Sequence, residues 1–497
     1  MRIALKITGS GGVLSSGVIF LKILNKMGLF VKAEREFPSL IKGGVHNFLI
    51  DFSDEEIFSN SKNHDVLCDF ENSTIYAFKE KLLIPNDLGK LKNTVFIGAL
   101  CAIFNFEKNI CKKVVSEYFK KFKEENLSAF EIGFAKINSE KYTLKIRGDQ
   151  VFKKQKIVNG NEAIAIGAFR SGLSHYFAYP MSPATSVINY LPDSVSKMIS
   201  ADEISAVSMC LGAMYSGKNA LTATSSGGFD LMTETISASG IMEIPLVVVL
   251  AQRPGPGTGL PTWDSQDNIN LAVYGGHGDF PKSVLSISDA NSAISIMPKA
   301  FMLAKKHRIP VIVLTQKSIA ESYYSTIPES KKEIFKFLKY EKLINADEHD
   351  LEGNSIEGGE LARKSMIKRM SKMKEVIKDM PKNVIFGPKK AEISFVATGS
   401  VIGAVRDSIS VLKENGVSAN LLEITSIWPL EKNIIKEFFS NNKKVIMVEQ
   451  NYTGQLGGLI EKECEVKFFD CLHKFDGISF SYEDIIKFYN ESVSRKK

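Results

Sequence analysis

Two short runs of apolar residues constrain the fold of this chain more than any other feature. The run IPLVVVLAQ ends at Gln252, and the run IPVIVLTQ ends at Gln316. Neither run alternates between apolar and polar residues, which is typical of central parallel strands that helices cover on both faces. Helical stretches alternate with such strands along the chain, so the sequence predicts an α/β protein.

The chain begins with the pattern of a strand, a glycine loop and a helix. The loop GSGG at 9–12 follows alternating apolar residues, and an apolar helical spacing then continues to Gly28. Such a loop can present backbone N–H groups to an anion. Leu14 stands where a dinucleotide-binding fingerprint needs its third glycine, and no Lys-Ser/Thr pair completes a P-loop. An anion site and a ligand-free turn both stay open for this loop.

Changes in composition predict three α/β domains and a charged connector. We expect domains at 1–150, 155–327 and 386–497, each with a mainly parallel sheet flanked by helices. The connector at 328–385 is poor in strand patterns and contains a predicted surface helix near Gly359–Lys378. A total of 497 residues agrees with three domains of roughly 150 residues.

Composition also excludes several classes of protein. The net charge is +7, but the cations are spread along the chain without a basic stripe, so we expect no nucleic-acid partner. The six cysteines form no Cys-x-x-Cys pair, which argues against a zinc or iron–sulfur site on this chain. No apolar run reaches about 18 residues, and the start does not resemble a signal peptide. We therefore expect a cytoplasmic protein without a membrane segment.

Candidate binding residues follow the predicted strands of the middle domain. Ser182 lies between two prolines in YPMSPATS, and Thr224 lies in TATSSGG. Arg253 opens the loop RPGPGTG, and a guanidinium can bind a carboxylate through two parallel hydrogen bonds. Ligands of open α/β sheets bind beyond the carboxyl ends of the strands. For the segment around Ser182, a plain turn is the alternative.

Glu203 poses the main question of the sequence. It opens the helical segment EISAVSMCLGAMYSG directly after Asp202. An acid at a helix start is ordinarily an exposed residue that complements the helix dipole, and Asp202 suits that role. The small residues that follow would let another backbone or subunit approach closely. The pattern does not decide whether Glu203 is exposed or is held in the interior for chemistry.

Several of these segments together carry a resemblance to a known family. YPMSPATS, the stretch from Ala201 to Glu234, QRPGPGTGLPT and VEQNYTGQL, in this order, resemble the alpha subunit of 2-oxoacid:ferredoxin oxidoreductases. The similarity is greatest to the 2-oxoglutarate:ferredoxin type, in which a gamma domain is fused ahead of alpha. The connector segments ADEHDLEG and MIKRMSKMKEV match as well, so the resemblance covers nearly the whole chain.

The resemblance implies an enzyme that uses thiamine diphosphate. Residues 1–150 would be the gamma domain, 155–327 the pyrimidine-binding domain, and 386–497 a domain similar to the C-terminal domain of transketolase. Glu203 would be the catalytic acid that bonds N1′ of the aminopyrimidine, and Thr224 would also contact the cofactor. Ser182 and Arg253 would bind the 2-oxoacid. The residues expected to face coenzyme A, the acyl acceptor, are Gly9, Gly11, Gly12, Lys42, Gly43 and Gly44.

The resemblance also implies that the chain is catalytically incomplete. A separate beta subunit would bring the Mg²⁺ and diphosphate site and at least one [4Fe–4S] cluster, in an assembly such as (αβ)2, and ferredoxin would take the electrons. The expected reaction converts 2-oxoglutarate to acyl-CoA and CO₂. Ser182 replaces the threonine usual in the family, and the stretch 225–228 reads SSGG in place of SGPG, so pyruvate and branched 2-oxoacids stay open. A NAD-dependent oxidoreductase and a non-catalytic scaffold are the alternatives from other classes.

Overall fold

The computed structural model describes residues 2–38, 44–78, 80–84, 89–137, 155–327, 333–334, 345–350 and 352–493. Two of the predicted site residues, Lys42 and Gly43, lie outside these ranges. The chain divides into two compact units. The first comprises residues 1–158, 322–328 and 481–483, and the second comprises the remainder.

The helices and strands alternate along the whole chain. The N-terminal part contains β1 (Arg2–Gly9), α1 (Val13–Lys26), β2 (Phe30–Glu36), β3 (His46–Ser53), β4 (Val66–Asp69), β5 (Thr74–Ala77), β6 (Glu80–Leu83), α2 (Lys92–Ile103), α3 (Lys108–Tyr118), α4 (Lys123–Ala135) and β7 (Lys156–Asn159). The middle part contains α5 (Gly160–Arg170), β8 (His175–Ala178), α6 (Val187–Tyr190), β9 (Ser196–Ile199), α7 (Glu203–Tyr215), β10 (Ala220–Ser225), α8 (Ser226–Met242), β11 (Leu246–Gln252), α9 (Ile269–Tyr274), β12 (Ser283–Ser286), α10 (Ala290–His307), β13 (Pro310–Gln316), α11 (Lys317–Ala320) and β14 (Tyr323–Thr326). The C-terminal part contains α12 (Gly359–Ser371), α13 (Met373–Asp379), β15 (Val384–Phe386), β16 (Ile393–Ala397), α14 (Val401–Glu414), β17 (Ala419–Glu423), β18 (Ser426–Trp428), α15 (Lys432–Asn441), β19 (Val445–Glu449), α16 (Gln455–Cys464), β20 (Asp470–His473) and α17 (Tyr482–Phe488).

The first sheet has eight strands in the order β6-β5-β4-β1-β3-β2-β14-β7. Its strand directions correct the expectation of a mainly parallel sheet, because β1–β3, β2–β3, β2–β14, β4–β5 and β5–β6 all pair antiparallel. The pair β1–β4 is parallel. The connections within β4-β5-β6 are too short for the crossover that parallel neighbours require. The predicted start of the chain is confirmed, since β1, the glycine loop and α1 follow one another.

The second sheet positions the candidate site. Its strand order is β18-β12-β13-β11-β10-β8-β9. The six strands from β8 to β13 all pair parallel with one another. All seven residues of β11 and all seven of β13 are buried, as the two apolar runs predict. β18 comes from the C-terminal part of the chain and pairs antiparallel with β12 at one edge.

The third sheet has five strands in the order β15-β17-β16-β19-β20, and only its edge strand β15 runs antiparallel in the described pairings. The second and third sheets share one apolar core, in which Leu250 and Val284 cluster with Leu422 and Met447. The three sheets with their helices confirm the α/β class. The predicted connector helix is present as α12 and α13. Among the described residues, no helix has the length and apolarity needed to cross a membrane.

Candidate functional site

The carboxyl ends of three neighbouring strands create the candidate site. β10 pairs parallel with β8 on one side and with β11 on the other. The loop after β8 carries Ser182, the end of β10 carries Thr224, and the residue after β11 is Arg253. Carboxyl ends of parallel strands meet at one edge of a sheet, which is where such folds bind ligands. The structure therefore brings these three predicted residues to a common edge.

Glu203 is buried although it is the first residue of α7. Only 4% of its surface is exposed, and its Oε1 atom has no hydrogen-bond partner among the described residues. The neighbouring Asp202 is exposed and caps the helix, since its carboxylate accepts a hydrogen bond of 2.7 Å from the Ser205 N–H. The two adjacent acids thus have different roles. A buried polar atom without a partner is costly, and it marks a position where a ligand would supply the missing donor.

The side chain of Glu203 lies against the first turn of α8. A Cβ atom placed on Gly228 would lie 2.8 Å from both Cγ and Oε1 of Glu203, and 2.1 Å from Oγ1 of Thr224. Real Cβ atoms do not approach other atoms so closely, so only glycine leaves room for both side chains at this point. Gly228 therefore lets the carboxylate of Glu203 and the hydroxyl of Thr224 share one small space.

Arg253 is buried, and one of the five N–H donors of its guanidinium forms a hydrogen bond within the protein. Its Nη1 donates a 2.8 Å hydrogen bond to the Ser182 carbonyl, whereas its Nε has no partner among the described residues. Burial lowers the pKa of its guanidinium. Met181, next to Ser182, places its sulfur 3.9 Å from Oγ1 of Thr224. Glu203 and Thr224 thus meet at Gly228, and Met181 brings Thr224 near the loop whose Ser182 carbonyl holds Arg253, so the four predicted residues lie in one region of the structure.

Two asparagines support this site and were missed by the sequence analysis. The Asn161 amide donates to the Pro183 carbonyl at 2.8 Å and to Oγ of Ser186 at 2.7 Å, which holds the loop after β8. Asn268 accepts a 2.5 Å hydrogen bond from Oγ of Ser226, the first residue of α8. Isolated asparagines in loops and at helix starts are common. What distinguishes these two asparagines is that they are buried, and burial can be seen only in the folded structure.

A buried amide network anchors the loop that begins at Arg253. Gln266 donates to Oε1 of Gln316 at 3.1 Å and to the Thr398 carbonyl at 2.7 Å, and its own Oε1 accepts from the Gln450 N–H at 2.9 Å. Gln450 belongs to the motif VEQNYTGQL. Hydrogen bonds thus connect that motif directly to the loop after β11 and fix the loop's position.

The glycine loops belong to the other compact unit. Gly12 is the N-cap residue of α1 and has a φ of 72°, and a Cβ atom there would overlap the amide of Asn93. Gly9 packs against Phe70, whereas a Cβ on Gly11 would meet nothing within 4 Å. The Ser10 N–H donates to the Glu71 carboxylate at 2.5 Å, so an acidic group already uses one donor of this loop. Gly44 has a φ of 129°, a backbone conformation that only glycine adopts without strain. The assignment of these residues to coenzyme A stays a prediction.

Comparisons with known proteins identify the family. Residues 3–88 match the model of "pyruvate ferredoxin/flavodoxin oxidoreductase", residues 166–381 match its thiamine-diphosphate-binding region, and residues 391–485 match core domain II of pyruvate:ferredoxin oxidoreductase. The alpha subunit of a 2-oxoacid:ferredoxin oxidoreductase from Sulfolobus sp is 25% identical over 98% of this chain and 96% of that protein. The 2-oxoglutarate synthase subunit KorA of Archaeoglobus fulgidus is 30% identical over 63% of this chain and 92% of that protein.

A solved structure extends the similarity to the whole chain. The 2-oxoglutarate:ferredoxin oxidoreductase of Magnetococcus marinus, solved with 2-oxoglutarate, coenzyme A and succinyl-CoA bound, superposes with a TM-score of 0.89. It is 27% identical, and the match covers 99% of each chain. The fold and the site thus define an oxidoreductase subunit with a thiamine-diphosphate-binding domain. The chain belongs to the family of 2-oxoacid:ferredoxin oxidoreductase alpha subunits, to which the KorA relatives also belong.

Proposed function

We propose that this chain acts with a beta subunit to decarboxylate 2-oxoglutarate oxidatively, giving acyl-CoA and CO₂ and reducing ferredoxin. Support for this substrate comes from the relatives named 2-oxoglutarate synthase and from the ligands of the Magnetococcus marinus structure. Pyruvate and branched 2-oxoacids are the competing substrates. Family membership favours this oxidoreductase over a NAD-dependent enzyme and over a non-catalytic scaffold.

The observation that carries the proposal is the buried, unpartnered carboxylate oxygen of Glu203. It lies against Gly228 and close to the Thr224 hydroxyl, and Oγ of the adjacent Ser225 is also buried without a partner. This set of acceptors and donors around a glycine fits the polar edge of an aminopyrimidine. When bound, thiamine diphosphate supplies an electron sink for the carbanion left by decarboxylation. Glu203 would hold the proton at N1′ of the pyrimidine, in a site from which water is excluded.

Arg253 would bind the carboxylate that all 2-oxoacids share. Its guanidinium is fixed in advance by the Ser182 carbonyl, so binding would cost little further side-chain entropy. A charge-assisted hydrogen bond from a buried guanidinium contributes roughly 1.5–3 kcal/mol. Because every 2-oxoacid carries this carboxylate, Arg253 would not select among them. The choice of substrate would depend on the residues around the remainder of the molecule.

The beta subunit would complete the active site. We propose that it carries the Mg²⁺ and diphosphate site and the [4Fe–4S] cluster, and that ferredoxin docks on the assembled complex. Support comes from the relatives, which are named as alpha subunits and therefore have partners. In this proposal the chain contributes the pyrimidine acid and the substrate arginine, and neither subunit alone is active.

The test uses the complex copurified from coexpressed subunits. Iron–sulfur absorbance is recorded anaerobically while 2-oxoglutarate, pyruvate or 2-oxoisovalerate is added with coenzyme A. We expect rapid bleaching with 2-oxoglutarate, and at least tenfold slower bleaching with the other two acids. Faster bleaching by pyruvate would reassign the substrate and keep the reaction. A colourless complex that is inert to all three acids would refute the proposed function.

A further inference from the structure

A cavity that shares no lining residue with the candidate site lies in the same compact unit. Its volume is about 810 Å³, which is within the range of about 300–1,000 Å³ typical of small-molecule sites. It is lined by residues of the connector helices α12 and α13, of β18 and of the loop after α9. Its apolar lining comes from Val273, Met370, Met373, Ile377, Trp428 and Leu430. Methionine side chains adapt to apolar ligands of varied shape.

Lys282 supplies a buried positive charge to this cavity. Its surface is 7% exposed, and its Nζ donates a 2.6 Å hydrogen bond to the Gly275 carbonyl. The same Nζ lies 4.9 Å from the centre of the Phe280 ring. No carboxylate forms an ion pair with it among the described residues, and burial lowers its pKa to about 8. An ammonium has three donors, so Lys282 keeps donors for a ligand.

The other charged groups of the cavity are exposed or already paired. Lys382 pairs with Glu431 at 2.9 Å, and Lys432 pairs with Glu463 at 2.9 Å. Lys378 pairs with Glu375, which lies on its own helix. Asp279 is exposed to solvent. These groups largely neutralise one another, and the buried ammonium of Lys282 is left as the cation that a ligand could neutralise.

We propose that this cavity binds a small amphipathic carboxylate, with its head on Lys282 and its apolar body against the methionines and Trp428. A single ammonium matches one negative charge, so a monocarboxylate suits the cavity better than a phosphate. Burying the ammonium of Lys282 without a negatively charged group beside it costs free energy, and the carboxylate of the ligand would reduce that cost. This site is separate from the reaction proposed above and does not depend on it.

The test titrates the copurified complex with octanoate by isothermal calorimetry, with octanol and inorganic phosphate as matched probes. We expect octanoate to bind and the two probes to bind at least tenfold more weakly. Lys282→Met keeps the apolar stem and should weaken octanoate binding at least tenfold. Lys432→Met removes a paired lysine of the same cavity and should change it by less than threefold.

The pH profile separates a binding role from a structural one. The ammonium must be protonated and the ligand's carboxyl group ionised, so octanoate affinity should be highest between about pH 6 and 7. It should fall as the pH rises through the pKa of Lys282, which is about 8. Lys282→Arg, which stays charged, should keep the affinity up to pH 10. The proposal is overturned if octanol binds as tightly as octanoate, if Lys282→Met binds as the wild type does, or if octanoate does not bind at all.

Discussion

Replacing Gly228 by alanine tests whether the position of Glu203 matters for the reaction. The new Cβ would lie 2.1 Å from Oγ1 of Thr224 and 2.8 Å from Oε1 of Glu203. Ordinary contact begins at 3.4 Å, so these distances fall short by about 1.3 and 0.6 Å. A misplacement of about 1 Å at a reacting centre costs roughly 10²-fold in rate. We therefore expect kcat to fall about 100-fold. The KM for the 2-oxoacid should change little, because we propose that Arg253 binds the substrate carboxylate.

The matched control is Gly227→Ala in the same helical turn. A Cβ on Gly227 would meet no atom within 4 Å, and alanine is up to about 1 kcal/mol more favourable than glycine in a helix. The assay is ferredoxin reduction by the αβ complex, with circular dichroism and thermal unfolding as checks of folding. We expect Gly228→Ala to lose about 1–3 kcal/mol of stability through overpacking and yet to fold. A folded Gly228→Ala complex with the turnover of Gly227→Ala would refute this reasoning.

Two further substitutions address Arg253, for which we propose a role in substrate binding, and an ion pair that holds the connector helix α12. Arg253→Lys keeps the charge but loses the planar fork, so KM for the 2-oxoacid should rise about 10–100-fold in steady-state assays; an unchanged KM would contradict the assigned role. Glu243→Gln should lower the free energy of unfolding by about 1–2 kcal/mol at pH 7, because the Glu243 carboxylate pairs with Lys368 at 2.6 Å and with Lys372. Burial opposes the ionised form, but the two lysines outweigh it and lower the pKa of Glu243. Its contribution is therefore present above the unfolded pKa of about 4.3 and is lost at lower pH. Denaturation curves of the two proteins should converge near pH 3, and a constant difference would contradict this ion pair.

The central strands could be predicted from the sequence because burial on both faces leaves a local signature. Before the glutamine that ends each strand, β11 and β13 contain only apolar residues and Thr315, and the structure buries all of them. The two glutamines, Gln252 and Gln316, are buried as well, and their side chains are hydrogen-bonded. The first sheet was harder, since strand direction depends on pairing between distant segments. The pairing of β18 could not be predicted either. Only two residues separate it from β17, yet the two strands belong to different sheets.

The site residues show where local patterns stop. Asp202 and Glu203 are adjacent acids at one helix start, and no local rule separates the exposed cap from the buried carboxylate. Their difference arises because Gly228, on another helix, leaves room for one of them. The family resemblance, and not a local pattern, assigned Glu203, whereas Asn161 and Asn268 carried no sequence signal of their burial.

The most direct test of the account compares Glu203→Gln with Asp202→Asn in the copurified complex. Each change replaces one carboxylate by its amide, and asparagine still caps a helix, so the pair differs mainly in which acid is neutralised. We predict that Glu203→Gln lowers the rate of 2-oxoacid-dependent ferredoxin reduction at least 100-fold, whereas Asp202→Asn stays within threefold of the wild type. Equal rates for the two variants would contradict the role of the buried carboxylate.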